Sequence, residues 1–401
     1  MAGWLTGTLP NYYSVSGLEE IAADTNLSGG AAPQSVQLNI NQIDPLTLTR
    51  NLFDGGNFTA NPWQRGTAFT GITNSATYTA DRWFAIGGAS SSISVSKAAI
   101  TAGSLAGFGS ALQFGRAAAN ADTAAIKFGQ VIETNKTIRL QGQPLVLSFW
   151  ALPGANFSAA GSNVTVTVYS GTGTNDTVAN MLSGSWAGQK TLYTGNLSIV
   201  NTAWGQRYVI GGTPGTPYSN ITGGLTGAPS SSSAVTPSIL VPTNASQLGV
   251  VFSYVPVGTA GANDWVQFTG IQLEAGNYPG LFEHADAGFV LSQAQRYFYQ
   301  ISEPAVGVIV ALGGATVAAN AQKYLVPLPV QMLKAPAVSV SAGTFKAAVG
   351  AAVATATGLA AASTHTPNAI SLVTTLTQTA GGVAHLEGAG GTGYIAVSAD
   401  F

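Results

Sequence analysis

The sequence predicts an all-β protein. Its expected architecture is a jelly-roll-like β-sandwich, then a short helix and a second small β-sandwich, with an extended N-terminal segment in front. The first observation behind this prediction is a series of β-branched and aromatic runs whose side chains alternate. The second is that clusters of Gly, Asn and Ser separate these runs. The third is that only one segment has helical periodicity, which favours sheets packed on sheets.

Residues 46–285 are predicted to form the first and larger sandwich. Aromatic residues are frequent enough to fill a core, with 7 Trp, 16 Phe and 13 Tyr in the chain. Short strands separated by turn residues are typical of a sandwich or jelly roll. The predicted strands are LVLSFWAL (145–152), NVTVTVYS (163–170), RYVIGG (207–212), LGVVFSYV (248–255) and WVQFTGIQLE (265–274).

Residues 1–45 are predicted to be an extended segment that docks on another surface. Within it, Val36, Leu38 and Ile40 alternate with polar residues, which indicates a strand. A segment this short buries too little apolar area to be stable alone. We therefore expect it to pack on the next domain, on a sister chain or on another protein.

Residues 286–304 are predicted to be a connecting helix. Phe289, Val290, Gln293 and Arg296 recur at three- and four-residue steps, and Pro304 would end the helix. Residues 305–401 follow as the second small β-sandwich, with several apolar runs of strand length.

The chain is very poor in charge, at 7% against about a quarter in typical globular proteins. Either much of its surface is buried in an assembly, or it presents a neutral surface of Ser, Thr, Asn and Gly. The net charge of −2 leaves no basic stripe for nucleic acid. There is no cysteine, no continuous apolar run long enough for membrane insertion and no recognisable signal peptide at the N-terminus.

Four motifs follow one another in the first domain and at its end. They are NPWQRGT (61–67), YTADRW (78–83), LSFW (147–150) and the segment 271–300, which runs from IQLE through Phe282-Glu283 to QRYFYQ. This order resembles bacteriophage tail-fibre, tailspike and head-fibre proteins, which are virion appendages with a carbohydrate-binding-module-like β-sandwich. The resemblance implies a homotrimeric fibre, assembled in the host cytoplasm and located on the virion. It further implies that the N-terminal segment binds other virion proteins and that the fibre binds host surface polysaccharide.

Two interpretations are open for the first two motifs. In one, tryptophan rings stack on a sugar while the charged side chains bond its hydroxyls. In the other, the tryptophans fill the core and the carboxylate forms an internal ion pair. The residues concerned are Trp63, Arg65, Asp81 and Trp83. Further aromatic residues, predicted in loops, either form a contact surface or close the ends of the sandwich: Trp186, Trp204, Tyr218 and Trp265.

Two further sets of residues have predicted structural roles. Attachment to the virion is assigned to the N-terminal strand, at Gln34, Val36, Leu38 and Ile40. The junction between the two domains is assigned to Glu274, Phe282, Glu283, Arg296 and Tyr297, with the two glutamates capping the junction or pairing with Arg296.

The sequence favours binding over catalysis, so we expect no enzyme activity and no cofactor. Paired carboxylates such as Glu274 and Glu283 would suit a polysaccharide depolymerase, but no segment clusters several acidic residues. The histidines at 284, 365 and 385 lack the spacing of a metal site. A purely architectural role, as a head fibre or capsid decoration protein, is the main alternative to host attachment.

Overall fold

The computed structural model describes residues 18–21, 36–39, 50–90, 92–211, 239–276, 279–318, 321–341, 345–349, 352–355, 359–362, 365–375 and 384–400. The chain divides into two compact units, Met1–Arg50 and Asn51–Phe401.

The first unit contains a pair of antiparallel strands, β1 (Leu18–Ile21) and β2 (Val36–Asn39). The alternating pattern around Val36 and Leu38 therefore predicted a strand correctly. Gln34 and Ile40, assigned to the same anchoring strand, lie outside the described residues. The attachment role of this segment remains a prediction.

The second unit begins with a sandwich of two antiparallel sheets. Its strands are β3 (Ala68–Ile72), β4 (Thr77–Tyr78), β5 (Phe84–Ile86), β6 (Ile93–Ala99), β7 (Ser110–Arg116), β8 (Ile126–Ile132), β9 (Pro144–Pro153), β10 (Asn163–Gly171), β11 (Lys190–Ser198), β12 (Arg207–Gly211), β13 (Ile239–Leu240), β14 (Gln247–Tyr254) and β15 (Trp265–Ala275). Among the described residues, the six-stranded sheet has the order β11-β10-β14-β8-β5-β4. The seven-stranded sheet has the order β12-β9-β15-β7-β6-β3, with β13 also paired to β9.

One aromatic core fills the space between these two sheets. Phe128 of β8 stacks on Phe252 of β14 at 4.8 Å, and both contact Phe268 of β15 in the opposite sheet. Phe149 of β9 meets Phe252 edge to face at 5.1 Å. Alternate residues of each strand face this core because side chains along a strand point to opposite faces. The other face of each sheet makes separate contacts, as where Val131 and Val251 of the six-stranded sheet pack with Met181 and Tyr297.

Three short helices and two 3-10 turns interrupt the described strands. The helices are α1 (Thr134–Thr137), α2 (Val178–Leu182) and α3 (Ala287–Gln295), and the turns are Ile138–Leu140 and Ala160–Ser162. The Asp286 side chain caps α3 by accepting hydrogen bonds from the N–H groups of Gly288 and Phe289.

The predicted connecting helix over 286–304 is only partly correct, because α3 ends at Gln295. The residues that follow form a strand, β16 (Phe298–Ser302), which pairs with the end of the chain. The sequence FYQIS is rich in aromatic and β-branched residues, which pack well on a sheet. Sheet pairing therefore overrides the helical periodicity that continues through Arg296 and Tyr297.

The remaining strands form two further antiparallel sheets. They are β17 (Ile309–Ala318), β18 (Ala321–Pro327), β19 (Ala337–Val340), β20 (Lys346–Val349), β21 (Ala352–Thr355), β22 (Ala360–Ala361), β23 (Ala369–Thr375), β24 (Ala384–Glu387) and β25 (Tyr394–Ser398). In the described segments, the orders are β16-β25-β19 and β21-β20-β24-β17-β18-β23-β22. Tyr324, Leu372 and Leu386 of the larger sheet share a core with Ile395 and Val397 of the smaller one.

The predicted fold class is confirmed: the protein is mostly β, with a two-sheet sandwich followed by smaller sheets and few helices. None of the helices described above has the length and apolar character needed to cross a membrane.

A buried ion pair fixes the loops at one end of the sandwich. Arg116 Nε lies 2.8 Å from Asp264 Oδ2, and both side chains are fully buried. The guanidinium also donates to the carbonyl oxygens of Asn120, Asp122 and Gly258. One side chain thus ties the loop between β7 and β8 to the loop between β14 and β15.

We predict that Asp264→Ala lowers the free energy of unfolding by about 3–5 kcal/mol, because Arg116 then remains buried without a counter-charge. Denaturant unfolding would measure the change. The double variant Arg116→Met with Asp264→Leu should cost less than Asp264→Ala alone, since it leaves no buried charge. Equal losses in the two variants would contradict this account of the pair.

Candidate functional site

The two tryptophans of the first motifs lie in the core of the sandwich. Trp63 is 4% exposed and Trp83 is fully buried. Trp83 contacts Phe128 of β8 at 6.0 Å, and its indole N–H donates to the Asp54 carbonyl oxygen at 3.2 Å. Neither indole presents a ring face to a sugar. The burial therefore supports the core interpretation of these residues over the stacking platform.

The charged partners of these tryptophans face the C-terminal sheets. Asp81 is 2% exposed and accepts hydrogen bonds from the backbone N–H of Gln64 at 2.8 Å and from its side-chain amide. Arg65 pairs with Asp400 beyond the end of β25, and its guanidinium lies 3.6 Å from the ring centroid of Phe298 in β16. The Gln64 amide also donates to the Phe298 carbonyl oxygen. The WQRG motif thus contacts both ends of the C-terminal segment.

Arg82 of the second motif forms the centre of a buried ionic cluster. Its Nε lies 3.3 Å from Asp54 Oδ2, and its Nη2 donates to the Val131 carbonyl oxygen at 2.7 Å. Lys136 Nζ bonds the other Asp54 oxygen at 2.6 Å. Burial acts to raise the pKa of Asp54, but these two cations outweigh it and hold the pKa below its ordinary value.

Arg296 and Tyr297 complete this cluster from the end of α3. Arg296 bonds both carboxylate oxygens of Glu133, at 2.9 and 3.2 Å. The Tyr297 hydroxyl donates to the same carboxylate at 2.9 Å, and the Arg82 guanidinium lies 3.4 Å above the Tyr297 ring. Arg296 and Tyr297, which were predicted from the sequence to lie at the domain junction, therefore both bond a carboxylate that follows β8 of the sandwich.

The predicted pairing of Arg296 with Glu274 or Glu283 is wrong. Glu274 accepts from the Gln272 amide and the Gly280 N–H, both at 2.8 Å. Glu283 accepts from the Asn51 N–H at 2.8 Å. These carboxylates lie on the side of β15 and hold the chain that follows that strand, whereas Glu133 lies directly beyond β8 and within reach of α3.

Phe282, the remaining junction residue, also belongs to the sandwich side. Its ring meets Phe108 edge to face at 5.0 Å. It therefore packs on the loop before β7 and lies apart from the ionic cluster around Arg82.

We call the ionic cluster the junction clamp. It joins the sandwich to α3, β16 and the end of β25, and it consists of Asp54, Arg65, Asp81, Arg82, Glu133, Lys136, Arg296, Tyr297 and Asp400. Sequence reasoning missed four of these residues, namely Asp54, Glu133, Lys136 and Asp400. The low number of charged residues could have pointed to them. In a chain with so few charges, each charged residue near a motif is a candidate partner for the charged residues of that motif.

Backbone strain marks both motifs. Trp63 has φ of 50° and Arg82 has φ of 73°, so two non-glycine residues adopt the left-handed region. This conformation costs roughly 1–2 kcal/mol per residue and persists where surrounding contacts determine it. Here the core packing of Trp63 and the ion pair of Arg82 supply those contacts.

No protein-family model matches the sequence, and no curated protein matches it. Among solved structures, the fold has distant likenesses to several chains, including the following three. The enzymatically active domain of tailspike protein 4 from bacteriophage CBA120 gives a TM-score of 0.29 at 12% identity, over 56% of this chain and 21% of that chain. A proposed sugar binding protein from Bacteroides thetaiotaomicron gives a TM-score of 0.26 at 14% identity, over 56% of this chain and 99% of that chain. An arabinose-bound α-L-arabinofuranosidase gives a TM-score of 0.28 at 14% identity, over 65% of this chain and 32% of that chain.

The chain therefore spans about a fifth of that tailspike and about a third of that arabinofuranosidase. With TM-scores below 0.5, these likenesses carry no argument about function. The protein is a β-sandwich protein with distant structural similarity to a phage tailspike domain and to β-domains of sugar-acting and sugar-binding proteins.

We predict that Glu133→Ala lowers the free energy of unfolding by about 2–4 kcal/mol, because Arg296 and Tyr297 lose their shared acceptor. Denaturant unfolding monitored by tryptophan fluorescence would measure the change. Replacement of the exposed Lys190 by Ala is the control and should stay within about 0.5 kcal/mol of the parent. A Glu133→Ala protein as stable as the control would show that the clamp contributes nothing.

We also predict that Asp81 makes the junction clamp more stable on mild acidification. Burial raises the pKa of Asp81 from 3.8 to about 6, with Asp400 adding repulsion and Arg65 opposing it. Between these two pH values the folded state holds a proton that the unfolded state lacks. The stabilisation that protonated Asp81 adds to the free energy of unfolding is therefore fully present below pH 3.8 and is lost as the pH rises through about 6.

The measurement is the free energy of unfolding of the parent and of Asp81→Asn from pH 7 to pH 4. The parent should gain up to about 3 kcal/mol relative to the variant over this range. His365, whose pKa burial lowers, acts in the opposite direction but is common to both proteins. A constant difference between the two curves would contradict the assignment.

Proposed function

We propose that this chain is a bacteriophage virion structural protein: a homotrimeric fibre, attached to the particle through its N-terminal segment, that binds glycans of the host surface. The sandwich is the body of the fibre and the C-terminal sheets are its outer end. In this proposal the protein acts by binding and performs no chemical reaction.

The junction clamp is the observation that supports this proposal most strongly. Residues from the WQRG, DRW and QRYF motifs meet in one cluster with Glu133 and Asp400, which lie 163 and 335 positions from their partners Arg296 and Arg65. These motifs carry the resemblance to phage appendages. The motifs therefore lie where the sandwich connects to the C-terminal sheets. A protein that resembled the phage appendages only in its sandwich would not need this connection. A stiff connection of this kind suits a fibre whose body and tip must move together.

The surface of the C-terminal segment supports self-association. Residues 305–401 contain only five charged side chains, and two of them, Glu387 and Asp400, have partners within the chain. Several large apolar side chains are exposed there instead, namely Val306, Val308, Ile309 and Leu325, each by 49–65%. A second and third copy of the chain would cover this apolar surface without like-charge repulsion.

The carboxylates considered for a depolymerase are held in structural roles. Glu274 is 5% exposed and bonded to Gln272 and Gly280, and Glu283 bonds the backbone of Asn51. A general acid in a glycosidase must reach the glycosidic oxygen. The contacts of these two residues favour binding over hydrolysis.

The experiment has two parts, one for location and one for role. Gold-labelled antibodies against the protein should decorate intact particles, and the purified chain should form trimers by light scattering. Added in excess, the purified chain should compete with phage for adsorption to host cells. Val308→Asp should weaken the trimer by placing charge in the apolar surface.

Three results would count against the proposal. A stable monomer in solution would contradict the proposed trimer. Particles that the antibody does not label would contradict the proposed location on the virion. Labelled particles whose adsorption is unaffected by the competitor would favour the architectural alternative, a head fibre or decoration protein.

A further inference from the structure

The outer face of the seven-stranded sheet carries a second set of aromatic and polar side chains. On β9, Leu147 and Phe149 face the core, so Trp150 faces away from it. On β15, Val266 and Phe268 face the core, so Trp265 and Gln267 lie on the outer face. The same alternation places Gln113 of β7 and Arg207 of β12 there. We call these five residues the tryptophan face: Gln113, Trp150, Arg207, Trp265 and Gln267.

Trp150 lies flat on the sheet because a glycine is beneath it. Gly270 has φ of 59°, and a Cβ at this position would meet the Trp150 ring at 2.6 Å. Phe108 supports the ring from the side at 5.1 Å, and Phe282 packs on Phe108. Trp150 nevertheless stays partly exposed. The ring is held in place with part of its surface open.

Trp265 is arranged in the same way one strand further along the sheet. A Cβ at Gly154 would meet its ring at 2.8 Å, so this ring also packs closely against a glycine. Trp265 is partly exposed as well. Thr269 of β15 is opposite Trp150, which separates the two tryptophans by four residues, or roughly 13 Å, along the strands. That distance exceeds the width of one sugar ring.

Polar groups lie between and beside the two rings. The amides of Gln113 and Gln267 bond each other at 2.9 Å and are partly exposed, so each retains further hydrogen-bonding capacity. Arg207 donates to Ser148 at 2.7 Å, lies 4.9 Å from the Trp150 ring and is 6% exposed. Its Nε has no hydrogen-bond partner. A buried donor left in this way is costly, which points to a ligand or water at this position.

The charge of this surface selects among possible ligands. Arg207 is its one cation, and Glu274 lies close enough to interact with it. A phosphate-rich polymer needs several cations in a row, which this surface does not offer. Flat rings with neutral amides between them instead suit a chain whose units each have an apolar C–H face and several hydroxyl groups.

We propose that the tryptophan face binds a neutral polysaccharide chain, with Trp150 and Trp265 each stacking on a different sugar and the two glutamines bonding hydroxyls between them. This inference rests on the proposed function, which supplies glycans as the ligand class, and it assigns the residues that bind them. It also predicts a length requirement, because a single sugar cannot contact both rings.

The test uses the full chain and variants on a printed array of bacterial surface polysaccharides and defined oligosaccharides. The parent should retain a subset of the longer glycans and no monosaccharides. Trp150→Ala and Trp265→Ala should each weaken binding of those glycans by at least about tenfold. Trp150→Phe should retain more binding than Trp150→Ala, since a smaller ring still stacks. Tyr394→Ala, which removes a 39% exposed aromatic in the C-terminal sheets, is the matched control and should bind like the parent.

Thermal unfolding of each variant shows whether weaker glycan binding comes from the missing side chain or from unfolding of the protein. Trp265→Ala that binds normally while remaining folded would overturn the proposed face and leave glycan binding elsewhere on the protein. A parent that retains no glycan would overturn both this inference and the glycan-binding part of the proposed function. Equal binding of monosaccharides and longer chains would contradict the two-ring arrangement.

Discussion

The structure depends on how this protein uses its few charges. Eight of its thirty Lys, Arg, Asp and Glu residues lie in the junction clamp, where Asp54, Asp81, Arg82 and Glu133 are buried and the other four are half-buried. Desolvation of a charge costs several kcal/mol, which an ion pair offsets only with good geometry and further hydrogen bonds. The clamp meets this condition at Glu133, whose carboxylate accepts from both Arg296 and Tyr297. It therefore gains specificity of docking more than raw stability, because any displacement of the C-terminal part would expose unpaired buried charge.

This constraint explains how the two β-rich parts divide their roles. The clamp occupies the loops around α1 and the second motif, on the side where the six-stranded sheet meets Tyr297 and Leu333. On the outer face of the seven-stranded sheet, the described neighbours of Trp150 come from the sandwich and the segment that follows it, and Trp150 and Trp265 are both partly exposed. Under the function proposed above, a docked C-terminal part on one side and partly exposed aromatic rings on the other suit a binding module held in one orientation.

Sequence patterns predicted the strands well where side chains alternate. The runs at 145–152, 163–170, 248–255 and 265–274 correspond to β9, β10, β14 and β15 within a residue or two. The helix was predicted too long because its periodicity continues into residues that pair with the last strand. Pairing of Phe298 with Ser398 joins positions far apart in sequence, and local periodicity contains no information about such contacts.

The sites were harder to predict for the same physical reason. A tryptophan beside charged residues suits a sugar platform and a core anchor equally, and only burial distinguishes the two. Trp63 and Trp83 are core residues, whereas Trp150, within the LSFW motif, packs over Gly270 on the outer face of the sheet and is partly exposed. Glu133 was missed because its partner Arg296 is 163 residues away and no local pattern connects them.

Calorimetry of the full chain tests most directly whether the junction clamp makes the sandwich and the C-terminal sheets one cooperative unit. The account predicts one unfolding transition for these two parts, with calorimetric and van't Hoff enthalpies that agree. Two separate transitions, with the C-terminal sheets melting first and the sandwich unaffected, would contradict it.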